Sequence, residues 1–382
     1  MNVTISVGGK FHAFYLAEQL QKKGLLGDIF TPYPRFALRG SKLPPDKVHC
    51  LIFKEVIERG LSRIPYLSSK LEVPCYAANI FDRQVARRVK PCDIFVGWSG
   101  FSLHTLRRIR GTFAAKIILE HNIVHIGAQR DILRAEEENL GIKLSMFGDG
   151  FIEKELREYE EADYIAVPST LSKQTFLDKG FSPEKIICVP HGVDVDKFRP
   201  ASKSDNRFRI IAVGMRAIKG IHYLLKAVDE LKIKDLELWL IGGAVDPELK
   251  PFLKKYSGSF KYLGAIPNSE LYKYYSQGSV SALFSLSDGF GFALSEAMAC
   301  GVAVICSDSV GAKDLVRDNI DGFIIPTRDT EKLKEKILYL YENPNICLNM
   351  GRSARENVAN NFTWDNYGER VISIYHNLLK RS

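Results

Sequence analysis

The chain has no apolar run of about 18 residues, so a membrane-spanning helix is not expected. No basic segment precedes an apolar one at Met1-Asn2-Val3-Thr4-Ile5, and a secretory leader is not expected either. The cysteines (50, 75, 92, 188, 300, 306 and 347) form no C-x-x-C pair. Odd in number and scattered, they suit reduced thiols of a cytoplasmic protein better than a disulfide frame or zinc site. No glycine turn reads G-x-G-x-x-G with an acid about 20 residues on, which disfavours a dinucleotide-dependent oxidoreductase. No nucleic-acid-binding signature and no short-period repeat is present, and nucleic acid is not an expected partner.

What remains is an ordinary globular composition, 46% hydrophobic and 26% charged over 382 residues, enough for two domains with cores of their own. The net charge of +8 is uneven: residues 1–120 hold 19 Lys and Arg against 9 Asp and Glu. Arg83, Arg87, Arg88, Lys90, Arg107, Arg108, Arg110 and Lys116 are the densest part. Such a field favours an anionic partner, either a phosphate-bearing acceptor or an acidic membrane surface. The bland alternative is a set of solvated helix faces. A cytoplasmic protein with a peripheral place at the inner membrane face is the expectation this charge allows.

Short, β-branched apolar runs alternate with amphipathic stretches. Residues 3–7, 93–98, 116–119 and 164–168 read as strands in the first half, and 209–213, 236–241, 280–286 and 302–307 in the second. Helical patterns such as 14–23, 221–231 and 331–342 lie between them. Continuous apolar strands alternating with helices imply parallel sheets covered on both faces, an α/β doubly wound architecture. Residues 197–207, polar and carrying Pro200, make a natural linker between a domain at 1–196 and another at 208–361. Ligands of such sheets bind at the carboxyl ends of the strands, so the cleft between the domains is the expected site.

The richest segment is DGFGFALSEAMACG, beginning at Asp288. A strand runs into Asp288-Gly289-Phe290-Gly291, and a helix follows from about Phe292 to Cys300. Glycines permit close backbone approach, and the free N–H groups and positive end of the helix make a seat for phosphate. Asp288 and Glu296 are carboxylates suited to accept sugar hydroxyls. At a second strand-to-helix turn, Val213–Gly220, Arg216 and Lys219 stand where both could meet a diphosphate.

These residues resemble family 4 of the retaining glycosyltransferases, whose GT-B architecture sets two Rossmann-like domains face to face. The family's acid–GFG–second acid pattern is matched, with Asp288 where a Glu is usual. GAKDLVRDNIDGFIIP (311–326) and IAVGMRAIKGIHYLLKA (211–227) resemble its glycine loop and its phosphate-binding Arg/Lys segment. In the first half, Val7-Gly8-Gly9-Lys10-Phe11 resembles the N-terminal glycine loop, and residues 161–200 the segment leading out of the first domain. LEHNIVHIGAQ (119–129) resembles the region of an active-site histidine, assigned to His125 with His121 as competitor. The stretch 31–92, where acceptor specificity is expected, is least similar. Phe362-Thr363-Trp364-Asp365 and the helix after it (362–382) resemble a last helix that packs back on the first domain.

The resemblance implies sugar transfer from a UDP- or GDP-linked donor, with retention, to a glycan, lipid-linked or small-molecule acceptor, in cell-envelope or surface polysaccharide synthesis. His125 and Asp288 are the implied catalytic residues. Gly9, Arg216, Lys219, Gly289, Phe290, Gly291, Phe292, Ala293, Leu294 and Glu296 are the implied donor-binding ones, with Glu296 on the ribose hydroxyls. No cofactor or metal is implied, and Asp194-Val195-Asp196 reads as structural. An inactive binding or regulatory protein on the same scaffold and a nucleotide-sugar epimerase are the alternatives.

Overall fold

The computed structural model describes residues 1–9, 12–38, 40–61, 72–144 and 147–380. Its described strands form two sheets in which the pairings are parallel. The first holds β1 (Val3–Ser6), β2 (Leu26–Thr31), β3 (Val48–Cys50), β4 (Ile94–Trp98), β5 (Lys116–Glu120), β6 (Tyr164–Val167) and β7 (Ile186–Cys188). The second holds β8 (Phe208–Val213), β9 (Leu236–Ile241), β10 (Lys261–Gly264), β11 (Val280–Leu283), β12 (Ala303–Ser307) and β13 (Gly322–Ile325). Their orders, 3-2-1-4-5-6-7 and 10-9-8-11-12-13, follow one pattern, which the first sheet extends by one strand. Chain direction across the sheet therefore reverses beside β1 and β4 in one half and beside β8 and β11 in the other. The loops leaving those strands diverge there and open a crevice.

Burial follows the sequence pattern. Every residue of β4 and of β12 is buried, because helices cover both faces of each sheet. The last helix, Trp364–Lys380, leaves the second half and lies on the first. Its stripe of Trp364, Tyr367, Val371, Tyr375 and Leu378, spaced three or four residues apart, joins Val3, Ile5, Leu16 and Leu20 in one core. At about 2 kcal/mol per buried side chain, that stripe contributes on the order of 10 kcal/mol. Asp365 fixes its start, accepting from Gln19 at 2.8 Å and Lys22 at 2.6 Å.

The exchange runs the other way through the helix Ile126–Leu140. Leu133 on it and Leu144 beyond it join the core of the second half with Leu224 and Leu225. The fully buried Glu136 sits there 3.0 Å from His222 Nε2 and accepts from Tyr223 at 2.8 Å and Arg328 at 2.6 Å.

Candidate active site

A cleft of about 710 Å3 lies where the two switch points face each other. Lys219, Asn268, Asp288, Phe290, Gly291, Phe292, Ala293 and Glu296 line one side, His12, Tyr15 and Asn122 the other, and Asp194, Lys197 and Trp364 come from the crossing segments.

Lys219 ends a short 3-10 turn, Ala217–Lys219, after β8. The turn closes on Gly220 at φ +66°, where a Cβ would stand 2.0 Å from the Phe284 carbonyl oxygen. Only glycine lets it pass this close to the chain leaving β11. Asp288 is fixed by its backbone: its N–H donates to Ser309 O at 3.0 Å and its carbonyl accepts from Gly311 N–H at 2.8 Å. The two turns bring the Lys219 ammonium onto the Asp288 carboxylate, with side chains 25% and 13% exposed.

Gly291, at φ +91°, starts the helix Phe292–Ala299, whose N-terminus faces the cleft. Its unpaired N–H groups and positive end attract an anion. Glu296 lies on the same helix and accepts from the Tyr275 hydroxyl at 3.1 Å. Burial pushes its carboxyl up to about 7, against the opposing pull of Tyr275, Lys197 and Asn268.

Other residues singled out in the sequence lie elsewhere. Arg216 is 58% exposed and stands 3.8 Å from Asp246, outside the cleft lining. Leu294 is core. Gly289 packs on the first half, its carbonyl accepting from Ser169 Oγ at 2.6 Å and Ser172 Oγ at 3.2 Å. Gly9 sits half-buried in the bend after β1, and Lys10 and Phe11 of that loop are outside the described residues.

Neither histidine of the 119–129 segment is brought into the cleft lining. His125 caps the helix Ile126–Leu140, its Nδ1 accepting from Gly127 N–H at 3.1 Å, with its ring among Tyr159, Phe176 and Phe181. Burial, with the charge of Lys179, lowers this imidazole to about 4. His121 is also buried, with Nε2 3.0 Å from Val124 O, and is likewise lowered to about 4 by burial.

The cleft histidine is His12, which the sequence reading passed over, as it did Tyr15 and the place in the cleft of Trp364, read there only as the start of the last helix. Tyr15 and Trp364 stack with ring centroids 4.1 Å apart. The only signal for His12 was its place directly after the glycine loop. Asp194 accepts from Lys197 N–H at 3.0 Å. Among the described residues no group of three or more His, Cys, Asp or Glu is placed to hold a metal ion.

Residues 194–357 match the family model described as "Glycosyl transferases group 1". This part of the chain is similar to the group 1 glycosyltransferases. The chain is similar to an uncharacterised glycosyltransferase of Methanocaldococcus jannaschii, 25% identical over 70% of this chain and 71% of that protein. It is also similar to the GDP-mannose-dependent monoacylated α-(1-6)-phosphatidylinositol monomannoside mannosyltransferase of Corynebacterium glutamicum, 27% identical over 56% of this chain and 62% of that one. Among solved structures, a sucrose-phosphate synthase of Thermosynechococcus elongatus superposes with a TM-score of 0.73 at 19% identity, covering 100% of both chains. Anabaena HepE, in complex with UDP and glucose, superposes with a TM-score of 0.68 at 14% identity, covering 98% of this chain and 99% of that one. The two halves of the chain thus make up the GT-B fold of two Rossmann-like domains.

Proposed function

We propose that this glycosyltransferase moves a sugar, with retention at the anomeric carbon and without a metal ion, from a nucleoside-diphosphate sugar to a hydroxyl of a glycan, lipid-linked or small-molecule acceptor in envelope or surface polysaccharide synthesis. The observation that carries the reading is the meeting of Lys219, the N-terminus of Phe292–Ala299 and two carboxylates, Asp288 and Glu296, in one cleft. A cation and a helix end suit the diphosphate, and carboxylates suit hydroxyls of ribose and sugar. The acceptor oxygen replaces the diphosphate at the anomeric carbon, and fixed positive groups neutralise the charge that develops on the leaving group. A donor of this class is supported by the GDP-mannose dependence in one relative's name and the UDP bound to HepE. Retention is supported by the acid–GFG–acid resemblance.

In this reading residues 1–196 form the acceptor side, 197–207 the linker, 208–361 the donor domain and 362–382 the returning helix. The protein is cytoplasmic, resting on the inner membrane face through its basic first third. Arg83, Arg87, Arg88, Lys90 and Arg108 are exposed there, whereas Arg107 and Arg110 pair with Glu161 and Asp163. Co-sedimentation with vesicles that rises with anionic lipid content supports the membrane contact, and indifference to lipid charge removes it.

The direct test is calorimetric titration with UDP and GDP in EDTA on wild type and Glu296→Ala. Binding of one nucleotide, weakened about tenfold in the variant, supports the donor reading. Absence of binding, with no transfer from any nucleotide sugar, favours an inactive scaffold.

A further inference from the structure

His12 is 3% exposed and yet lines the cleft, and neither of its ring nitrogens has a hydrogen-bond partner. A buried polar atom left without a hydrogen bond is costly, so the state of this ring calls for a reason. Glu120, 4% exposed at the end of β5, places its carboxylate 3.3 Å from His12 Nε2, close enough to pair as ions. On other sides of that carboxylate are Tyr367 and Tyr375, whose hydroxyls also lack partners. Burial, then the charge of Glu120, pushes both phenols well above their ordinary range. A cation formed beside that carboxylate would be stabilised by it, and His12 is the group placed there.

The ring stands where an anion is wanted. Its centroid is 3.8 Å from that of His191, and His191 stacks parallel to Phe292 at 5.3 Å. Phe292 is the first residue of the helix whose N-terminus faces the cleft, and Lys219 lines the same space. The groups facing His12 from each packed element are Glu120 from β5, His191 from the crossing segment, Tyr367 from the last helix, and the uncharged Trp98 and Trp364. His191 is held well below its ordinary range, first by burial and then by the charge of His12, so it stays neutral. Among these groups Glu120 alone brings a charge to His12.

Resting on the donor reading above, we propose that His12, positioned by Glu120, takes up a proton when a nucleoside diphosphate binds and donates a hydrogen bond to a phosphate oxygen. The binding set for the diphosphate then has three cationic parts: Lys219, the helix end and a histidine from the opposite domain. The third makes the affinity dependent on pH.

The test is calorimetry with UDP and GDP on the full chain at pH 8, in buffers of different ionisation heat. Wild type is expected to take up protons on binding. His12→Gln removes that uptake and weakens affinity about tenfold, and Glu120→Gln reduces the uptake while His12 is still present. Equal affinity and equal proton uptake in wild type and His12→Gln overturn the proposal while leaving the donor reading intact. If neither nucleotide binds wild type, both fall. A second measurement needs no substitution: nitrogen-15 histidine spectra of wild type with and without UDP or GDP, in which one imidazole gains a proton on binding. Spectra in which no imidazole changes protonation count against His12 even where the variant is poorly folded.

Discussion

Lys219 and Asp288 are paired on one wall of the cleft, one from the turn after β8 and the other from the turn after β11. A diphosphate and Asp288 thus compete for the same ammonium group. Asp288→Asn is expected to tighten binding of UDP or GDP by about threefold to tenfold while abolishing transfer. Lys219→Met loosens binding by about tenfold or more, and the difference between the variants shrinks as salt is raised. Calorimetry at two ionic strengths checks both. Unchanged affinity in Asp288→Asn would mean that the pair does not compete with the ligand.

Glu296 gives the binding a pH dependence of its own. Burial sets its carboxyl at about 7, so it is protonated below that value and ionised above it. The ionised form accepts from ribose hydroxyls, so nucleotide affinity rises between pH 6 and 8 on this account. Proton uptake at His12, as proposed above, would act in the opposite sense and weaken binding as pH rises. Wild-type affinity should pass through a maximum. Glu296→Gln is expected to keep only the limb that falls with pH, and His12→Gln only the limb that rises.

Glu136 ties the halves together, and the tie depends on acid. Burial alone would raise this carboxyl, but hydrogen bonds from His222, Arg328 and Tyr223, with the charge of Arg328, outweigh it and hold it at about 2. A lowered carboxyl contributes stability above its unfolded value near 4.3, and that stability is lost as pH falls towards 2. Glu136→Ala, which takes the carboxylate from the buried His222 and the half-buried Arg328, is expected to cost about 3 kcal/mol at pH 7. Urea unfolding at pH 7 and pH 3 checks this, the deficit being smaller at pH 3.

Gly289 presses backbone on backbone. A Cβ there would stand 2.2 Å from Asn122 O and 2.4 Å from the Ile123 Cα, in the opposite half. Gly289→Ala therefore wedges the two sheets apart at the mouth of the cleft. Transfer is expected to fall about a hundredfold, a barrier increase of about 2.7 kcal/mol, with the far-ultraviolet circular dichroism unchanged. Transfer within a factor of three of wild type would show that the contact yields easily.

Physical reasons decide which parts of the sequence were readable. Eight strands stand out as continuous apolar runs because neighbours and helices surround them, as around β4 and β12. β3, β7 and β10 are edge strands of three or four residues, and Lys261 and Tyr262 of β10 are exposed, so they leave little pattern. β2 is interior but interrupted by Gly27 and Asp28. In the site, Asp288 and Lys219 were legible because each sits on a glycine turn at a strand end, and Glu296 because it lies on the helix that Gly291 starts. His12, Tyr15 and Trp364 meet only in three dimensions, since Trp364 arrives from a helix that crosses the molecule. No local pattern distinguishes His125, spent on capping a helix, from a histidine facing a ligand.

The returning helix has a consequence for synthesis. The first sheet leaves the ribosome before the second, yet Val3, Ile5, Leu16 and Leu20 wait for Tyr367, Val371, Tyr375 and Leu378 to close their core. Domains ordinarily fold in the order in which they emerge. Here the first half must remain open until residue 378 is free of the exit tunnel, so it is completed last although it is made first.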